Sequence, residues 1–114
     1  MSYLLDSDIV ANALKGRQSD IDLVKRLSSE SLFISLITYG EIYEGIYFGR
    51  DPKNDEKIFQ QFLRNVDVLP LSRIIMKRFA RIRGQLRKAG TIISDNDLLI
   101  GATALQYSLT VVTR

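Results

Sequence analysis

The alternation of short apolar runs with longer segments of helical periodicity constrains this chain more than any other sequence feature. Each apolar run has a length that suits a strand, whereas the intervening segments repeat apolar residues at the spacing of a helix. The predicted strands cover residues 3–5, 32–34, 66–70 and 109–112. The predicted helices cover residues 7–15, 20–27, 35–48, 53–64, 72–88 and 95–107. Strands that alternate with helices predict βαβ units and a mainly parallel sheet in an α/β fold.

Length and composition fit one domain and exclude several kinds of chemistry. The chain has 114 residues and contains neither cysteine nor histidine. Disulfides, cysteine-based zinc sites and Ser-His-Asp catalysis are therefore excluded, and carboxylates with a hard divalent cation become the expected carriers of any chemistry. The sequence shows no membrane-spanning run and no signal peptide, so we expect a cytoplasmic protein without a membrane partner.

Positive charge is concentrated in the second half of the chain. Residues 66–114 contain eight Lys and Arg against three Asp and Glu, whereas residues 1–65 contain eight against ten. The helix predicted at 72–88 has basic residues and no acid, and Arg73, Lys77 and Arg81 lie opposite its apolar stripe. A face of one sign predicts phosphate binding, so Arg73, Lys77 and Arg81 are candidates to hold a polyanion. The alternative is a solvated face that pairs with acids elsewhere.

Three acids follow or precede predicted strands at positions where they can meet. Asp6 comes directly after the first strand, Glu41 lies in the helix after the second strand, and Asp97 opens the helix before the fourth. Ligands bind at the carboxyl ends of strands in open α/β sheets. Carboxylates crowded at that edge repel one another unless a cation such as Mg²⁺ compensates them.

Each acid also has a structural interpretation. Asp6 suits a helix N-cap. The segment from Ser94 to Asp97 resembles a capping box, and Glu41 could be a solvated helix residue. Ser35 and Thr38 share a helix face with Glu41, so this face is polar and open enough for a ligand.

Four segments of the chain, taken in order, resemble the motifs of PIN domains. They are residues 4–10 (LLDSDIV), 34–42 (ISLITYGEI), 96–104 (NDLLIGATA) and 109–113 (LTVVT). The resemblance is strongest to the VapC-type ribonuclease toxins of toxin–antitoxin systems. It spans essentially the whole chain, and the order of the four motifs makes it fairly specific.

The resemblance implies a single PIN-like domain over residues 1–114, with a compact three-layer α/β/α fold and a sheet of about four strands. It implies an endoribonuclease that depends on Mg²⁺ or Mn²⁺, with Asp6, Glu41 and Asp97 as catalytic, metal-binding acids. The expected mechanism is attack of a metal-activated water on an RNA phosphodiester. Possible auxiliary residues are Asp8, Ser35, Thr38, Asp95 and Thr113. The implied partners are a cognate antitoxin and a second copy of the chain in a homodimer.

Two departures from the family pattern concern Asp8 and the end of the chain. Asp8 stands where the family often has Asn, and the Asp side chain adds negative charge at this position. The family usually continues beyond the last strand with Asn and a further acid, whereas this chain ends at Arg114. Because the last strand looks buried and central, we expect a natural C-terminal segment beyond this point. The resemblance implies that the family's fourth acid would lie in such a segment.

Two other functions remain open from the sequence. Asp6-Ser7-Asp8-Ile9-Val10 also fits the nucleophile motif of haloacid-dehalogenase-like phosphatases. In that case Asp6 would attack phosphorus, Asp8 would act as acid and base, and Asp95 with Asp97 would hold Mg²⁺. That interpretation gives Glu41 no role. The second alternative is a non-catalytic module of the same fold that binds RNA or protein.

Overall fold

A parallel β-sheet forms the centre of the molecule. The computed structural model describes residues 1–113, and Arg114, the predicted end of the domain, lies outside them. Within these residues the strands are β1 (Ser2–Leu5), β2 (Ser31–Ser35), β3 (Asp67–Leu69) and β4 (Thr110–Val112). Their order is β3-β2-β1-β4, and every pairing is parallel. The prediction of a mainly parallel, four-stranded sheet is confirmed.

Six helices connect the strands within residues 1–113. They are α1 (Ser7–Leu14), α2 (Gln18–Leu27), α3 (Leu36–Tyr47), α4 (Pro52–Phe62), α5 (Arg73–Lys88) and α6 (Asp95–Tyr107). Side-chain oxygens of Asp6, Ser35, Asp51, Ser72 and Ser94 accept backbone hydrogen bonds at the starts of α1, α3, α4, α5 and α6. Such caps explain why the helices begin where they do. No helix within residues 1–113 is both long enough and apolar enough to cross a membrane.

The alternation of side chains along β1 divides the core into two parts. Leu5 packs on one face of the sheet with residues of β2, α1, α3 and α4, and Leu4 packs on the other face with Ile100 and Ala104 of α6. Because the side chains of successive strand residues point to opposite faces of the sheet, these adjacent leucines pack in separate core clusters. Helices therefore cover both faces, which gives the three-layer α/β/α architecture of the prediction.

The last strand, β4, pairs with β1 in parallel. Leu109, just before the strand, and Val112, at its end, pack against the two core clusters, whereas Thr110 and Val111 are exposed. The end of the chain is thus anchored to both parts of the core.

Removal of the Phe59 ring should lower the free energy of unfolding more than the removal of an exposed side chain. This ring is fully buried, and its centroid lies 5.7 Å from Tyr39 and 5.5 Å from Tyr43. We expect Phe59→Ala to lower the free energy of unfolding by about 3–5 kcal/mol, because it leaves a cavity between α3 and α4. Urea denaturation followed by circular dichroism measures the change.

The matched control is Phe48→Ala, because Phe48 is 89% exposed just after α3. Its effect on the free energy of unfolding should stay within about 0.5 kcal/mol. Equal losses in the two variants would contradict the assignment of Phe59 to the core.

Candidate active site at the carboxyl edge of the sheet

Asp6 joins the end of β1 to the start of α1. Its backbone N–H donates to the carbonyl of Val112 over 3.0 Å, which ties it to the end of β4. Its Oδ1 accepts the backbone N–H of Ile9 over 3.0 Å, so the predicted capping role is confirmed for this oxygen. Oδ2 accepts no hydrogen bond from residues 1–113. The half-buried carboxylate therefore caps a helix with one oxygen and presents the other at the sheet edge.

Glu41 lies at the end of a chain of hydrogen-bonded hydroxyl groups. Ser7 Oγ donates to Glu41 Oε1 over 2.6 Å and lies 2.9 Å from Thr38 Oγ1. Ser35 Oγ, at the end of β2, lies 3.4 Å from Thr38 Oγ1 and accepts the Thr38 backbone N–H over 3.1 Å. Ser35 and Thr38 are fully buried. The polar face predicted for α3 is thus the place where Glu41 is held, and Glu41 is not a loosely solvated helix residue.

Ser7 is the residue of this network that the sequence did not single out. It belongs to the motif around Asp6, but helix periodicity gave it no partner. Its hydrogen bond to Glu41 joins residues 34 positions apart on different helices. Periodicity finds neighbours within one helix, so only the pairing of β1 with β2 reveals this contact.

Asp95 and Asp97 lie in the first turn of α6 but have different surroundings. Ser94 Oγ accepts the backbone N–H of Asp97 over 3.2 Å, which confirms Ser94 as the cap. Asp95 Oδ1 accepts from Arg83 Nε over 2.8 Å in an ion pair, whereas the side chain of Asp97 is exposed. Ile100, one turn later, packs in the same cluster as Leu4. The middle of α6 therefore packs against β1.

The three predicted ligands make no hydrogen bond to one another within residues 1–113. Glu41 accepts from Ser7, the residue next to Asp6 in the sequence, whereas Asp6 and Asp97 share no hydrogen-bond partner with Glu41. Among residues 1–113, no three His, Cys, Asp or Glu side chains are close enough together to hold one metal ion. The donor chemistry fits a hard cation, because all three groups are carboxylates. Their joint role as ligands stays a prediction, as do those of Asp8 and Thr113.

Helix α5 presents its basic residues beside α6. Arg83 pairs with Asp95, and Arg78 Nε donates to Gln106 Oε1 over 2.9 Å. The predicted RNA-binding residues Arg73, Lys77 and Arg81 are exposed and make no ion pair within residues 1–113. The alternative that acids of the same chain neutralise these three residues therefore finds no support.

A groove of about 320 Å³ opens beside Glu41 between α1, α3 and α4. Its apolar lining consists of Ala11, Leu14, Ile42, Ile46 and Ile58. Three charged residues also line it: the basic Lys15 and the acidic Glu41 and Asp55. An apolar groove with few polar groups suits a ligand or a segment of another protein.

Comparison with known proteins now identifies the family. A family model of the PIN domain matches residues 3–114. The chain belongs to the PIN domain family. This PIN domain is 27% identical over 113 residues to Ribonuclease VapC2 of Haemophilus influenzae, covering 99% of this chain and 86% of the relative. It is 26% identical over 119 residues to Toxin FitB of Neisseria gonorrhoeae, covering 97% of this chain and 86% of the relative.

Solved structures show the same fold. The structure of VapBC2 from Rickettsia felis bound to a promoter DNA fragment matches with a TM-score of 0.90 and 26% identity, over 99% of this chain and 86% of that one. FitAcB from Neisseria gonorrhoeae matches with a TM-score of 0.85 and 28% identity, over 98% and 86% respectively. The resemblance to VapC-type toxins seen in the sequence is confirmed.

In this PIN domain Tyr43 ties the helix that carries Glu41 to α4. Its hydroxyl donates to Glu56 Oε2 over 2.9 Å, and its ring centroid lies 4.9 Å from that of Tyr39. Burial first, and then the hydrogen bonds to Glu56 and Tyr39, raise the pKa of the Tyr43 phenol above its usual range. The folded state therefore keeps this proton at a pH at which the unfolded chain loses it.

This raised pKa predicts a loss of stability at alkaline pH. The protonated Tyr43 phenol contributes fully to the free energy of unfolding below the pKa of about 10 that tyrosine has in the unfolded chain. This contribution is lost as the pH rises above that value towards the higher pKa of Tyr43 in the folded protein. We expect Tyr43→Phe to make the free energy of unfolding fall less steeply between about pH 9 and 11, as measured by urea denaturation. Tyr47→Phe, which changes a 64% exposed tyrosine, should keep the wild-type slope. An unchanged slope in Tyr43→Phe would refute the effect.

Proposed function

We propose that this PIN domain is a metal-dependent endoribonuclease that acts as the toxin of a toxin–antitoxin pair. The observation that carries the proposal is the fixed position of Glu41, whose Oε1 lies 2.6 Å from the hydroxyl of the residue next to Asp6. Two acids from different strand ends are thus held at the edge where α/β folds bind ligands. The similarity to Ribonuclease VapC2 supports RNA as the substrate.

The residues that would hold Mg²⁺ or Mn²⁺ are Asp6, Glu41 and Asp97. PIN nucleases generally use divalent metal ions, and oxygen ligands are what such cations prefer. When bound, a cation of this kind activates water and stabilises negative charge on a phosphodiester. The protein contributes orientation: the cap at Ile9 fixes Asp6, the Ser7 hydroxyl fixes Glu41, and the cap at Ser94 fixes the turn with Asp97.

The auxiliary residues have distinct proposed parts. Ser35, at the N-cap of α3, and Thr38, in its first turn, support the Glu41 face. Asp95, because it is paired with Arg83, fixes the first turn of α6 against α5. Asp8 and Thr113 are exposed beside the ends of β1 and β4, where they add polar groups near the RNA. None of these five is needed as a direct metal ligand.

The phosphatase alternative is not favoured. It gives no role to Glu41, yet Glu41 is the acid most directly held by its neighbours. The chain also belongs to the PIN family, whose model matches residues 3–114. A binding module without catalysis has no observation of its own in its favour.

The proposed partners follow from the groove and from the solved relatives. Structures of VapBC and FitAB complexes show relatives together with their antitoxins. In this chain the apolar groove beside Glu41 is suited to a segment of a cognate antitoxin, which would cover the site. We further propose a homodimer, as the family resemblance implies, and action in the cytoplasm, where the RNA substrate is found.

Replacement of either the first or the last proposed ligand should abolish cleavage. We expect Asp6→Asn and Asp97→Asn to lower the rate of RNA cleavage with Mg²⁺ or Mn²⁺ by about a hundredfold or more, since even supporting residues of metal sites contribute 10–100-fold. Gel analysis of a labelled RNA measures the rate, and EDTA should stop the wild-type reaction. Asp22→Asn, an exposed acid on α2, is the control. Metal-dependent cleavage at wild-type rates in both variants would overturn the proposal.

The exposed basic residues of α5 should account for part of the salt dependence of RNA binding. We expect the triple variant Arg73→Ala, Lys77→Ala, Arg81→Ala to reduce the slope of log affinity against log salt by about 2, because each phosphate contact on a single strand contributes about 0.7. Fluorescence anisotropy with a labelled single-stranded RNA measures the slope.

The control for this experiment removes the same charge elsewhere. The triple variant Lys25→Ala, Arg26→Ala, Arg64→Ala changes three exposed basic residues on α2 and after α4. It should keep a steeper slope than the α5 variant. Identical slopes would show that α5 binds RNA only through net charge.

A further inference from the structure

Three hydroxyl groups connect the end of β2 to Glu41. Ser35 Oγ is 3.4 Å from Thr38 Oγ1, Thr38 Oγ1 is 2.9 Å from Ser7 Oγ, and Ser7 Oγ is 2.6 Å from Glu41 Oε1. The first two hydroxyls are fully buried, and Ser7 is half-buried. The chain of contacts crosses from α3 to α1 and returns to α3.

The number of available protons fixes the direction of this chain. A carboxylate only accepts hydrogen bonds, and each hydroxyl has a single proton to donate. Ser7 gives its proton to Glu41, so the bond between Ser7 and Thr38 must be donated by Thr38. Because Thr38 has given its only proton to Ser7, it accepts from Ser35, which in turn accepts the Thr38 backbone N–H. Every hydroxyl thus donates towards Glu41.

A purely structural role does not account for Ser7 and Thr38. Buried threonines in helices commonly bond the carbonyl four residues earlier, as Thr103 does with Leu99 over 2.8 Å. Thr38 is equally buried, but its hydroxyl bonds side chains and no backbone group within residues 1–113. Ser7 likewise bonds no backbone group with its hydroxyl and caps no helix. Their hydroxyl groups instead form the chain of hydrogen bonds that orients Glu41.

We propose that Ser7 and Thr38 are positioning residues, which aim the Glu41 carboxylate before a divalent cation binds. This inference rests on the proposed function, because it takes Glu41 as a metal ligand. Hydrogen bonds to ligating carboxylates orient the ligand, and their loss typically weakens metal binding or activity by about 10–100-fold. A directed chain of hydrogen bonds holds one rotamer of Glu41 at the edge next to Asp6. Neither Ser7 nor Thr38 touches the cation or the RNA in this scheme.

The test compares two hydroxyl deletions with matched controls. Ser7→Ala and Thr38→Val remove the last and the middle hydroxyl of the chain, and Thr38→Val keeps the volume of the buried side chain. The controls are Ser28→Ala and Thr103→Val, whose hydroxyls bond only the Lys25 and Leu99 carbonyls. Mn²⁺ affinity is measured by titration calorimetry, and cleavage of a labelled RNA gives kcat and KM.

We expect Ser7→Ala and Thr38→Val to weaken Mn²⁺ binding about tenfold or more and to lower kcat, with the KM for RNA unchanged. Ser7→Thr, which restores a hydroxyl at the same atom, should recover most of the Mn²⁺ affinity. Both controls should bind Mn²⁺ and cleave RNA as the wild type does.

The possible results separate the two proposals. Wild-type Mn²⁺ affinity and kcat in both hydroxyl deletions, with an active wild type, would overturn the positioning role alone. Losses of the same size in Thr103→Val and Thr38→Val would also overturn it, because they would reflect general stability. A wild-type protein that neither binds Mn²⁺ nor cleaves RNA would overturn the proposed function and this inference with it.

Discussion

The parallel pairing of β1 with both neighbours is the constraint on which the rest of the structure depends. Because β2 and β4 run in the same direction as β1, their carboxyl ends lie at one edge of the sheet. The polar residues that follow β1 and end β2, Asp6 and Ser35, are therefore neighbours in space. The backbone hydrogen bond from Asp6 to Val112 adds the end of β4 to the same edge. A slip of one residue would exchange Leu4 and Leu5 between the two cores, so the hydrophobic pattern fixes this register.

The fold was largely predictable because its signals are local. Caps such as Ser72 and Ser94 precede helical repeats, and each helix begins within a few residues of the expected position. The short apolar runs predicted the strands, and their alternation with helices predicted parallel pairing. The pairing of β4 with β1 was not predictable, because a short apolar run does not show which strand it pairs with.

The candidate site was predictable in its acids but not in their supports. Asp6, Glu41 and Asp97 stand out because they follow or precede strands, a position that sequence alone reveals. The contacts of Ser7 with Glu41 and of Arg83 with Asp95 join different helices, so no spacing rule finds them. These contacts nevertheless determine which acids are held still and which are neutralised. The physical difference between the acids of this site therefore emerges only from the tertiary structure.

Charge compensation separates these acids into two kinds. Asp95 is paired with Arg83 within 2.8 Å, so its charge is already balanced and it gains less from a cation. Asp6 and Glu41 are held by neutral donors, a backbone N–H and a serine hydroxyl, which orient a carboxylate without cancelling its charge. Asp97 makes no ion pair within residues 1–113 and is exposed beside the same edge. The three acids proposed as metal ligands thus have no cationic partner among residues 1–113. The Ser7 hydroxyl orients Glu41 without placing a positive charge where a cation would bind, so a neutral donor suits this position.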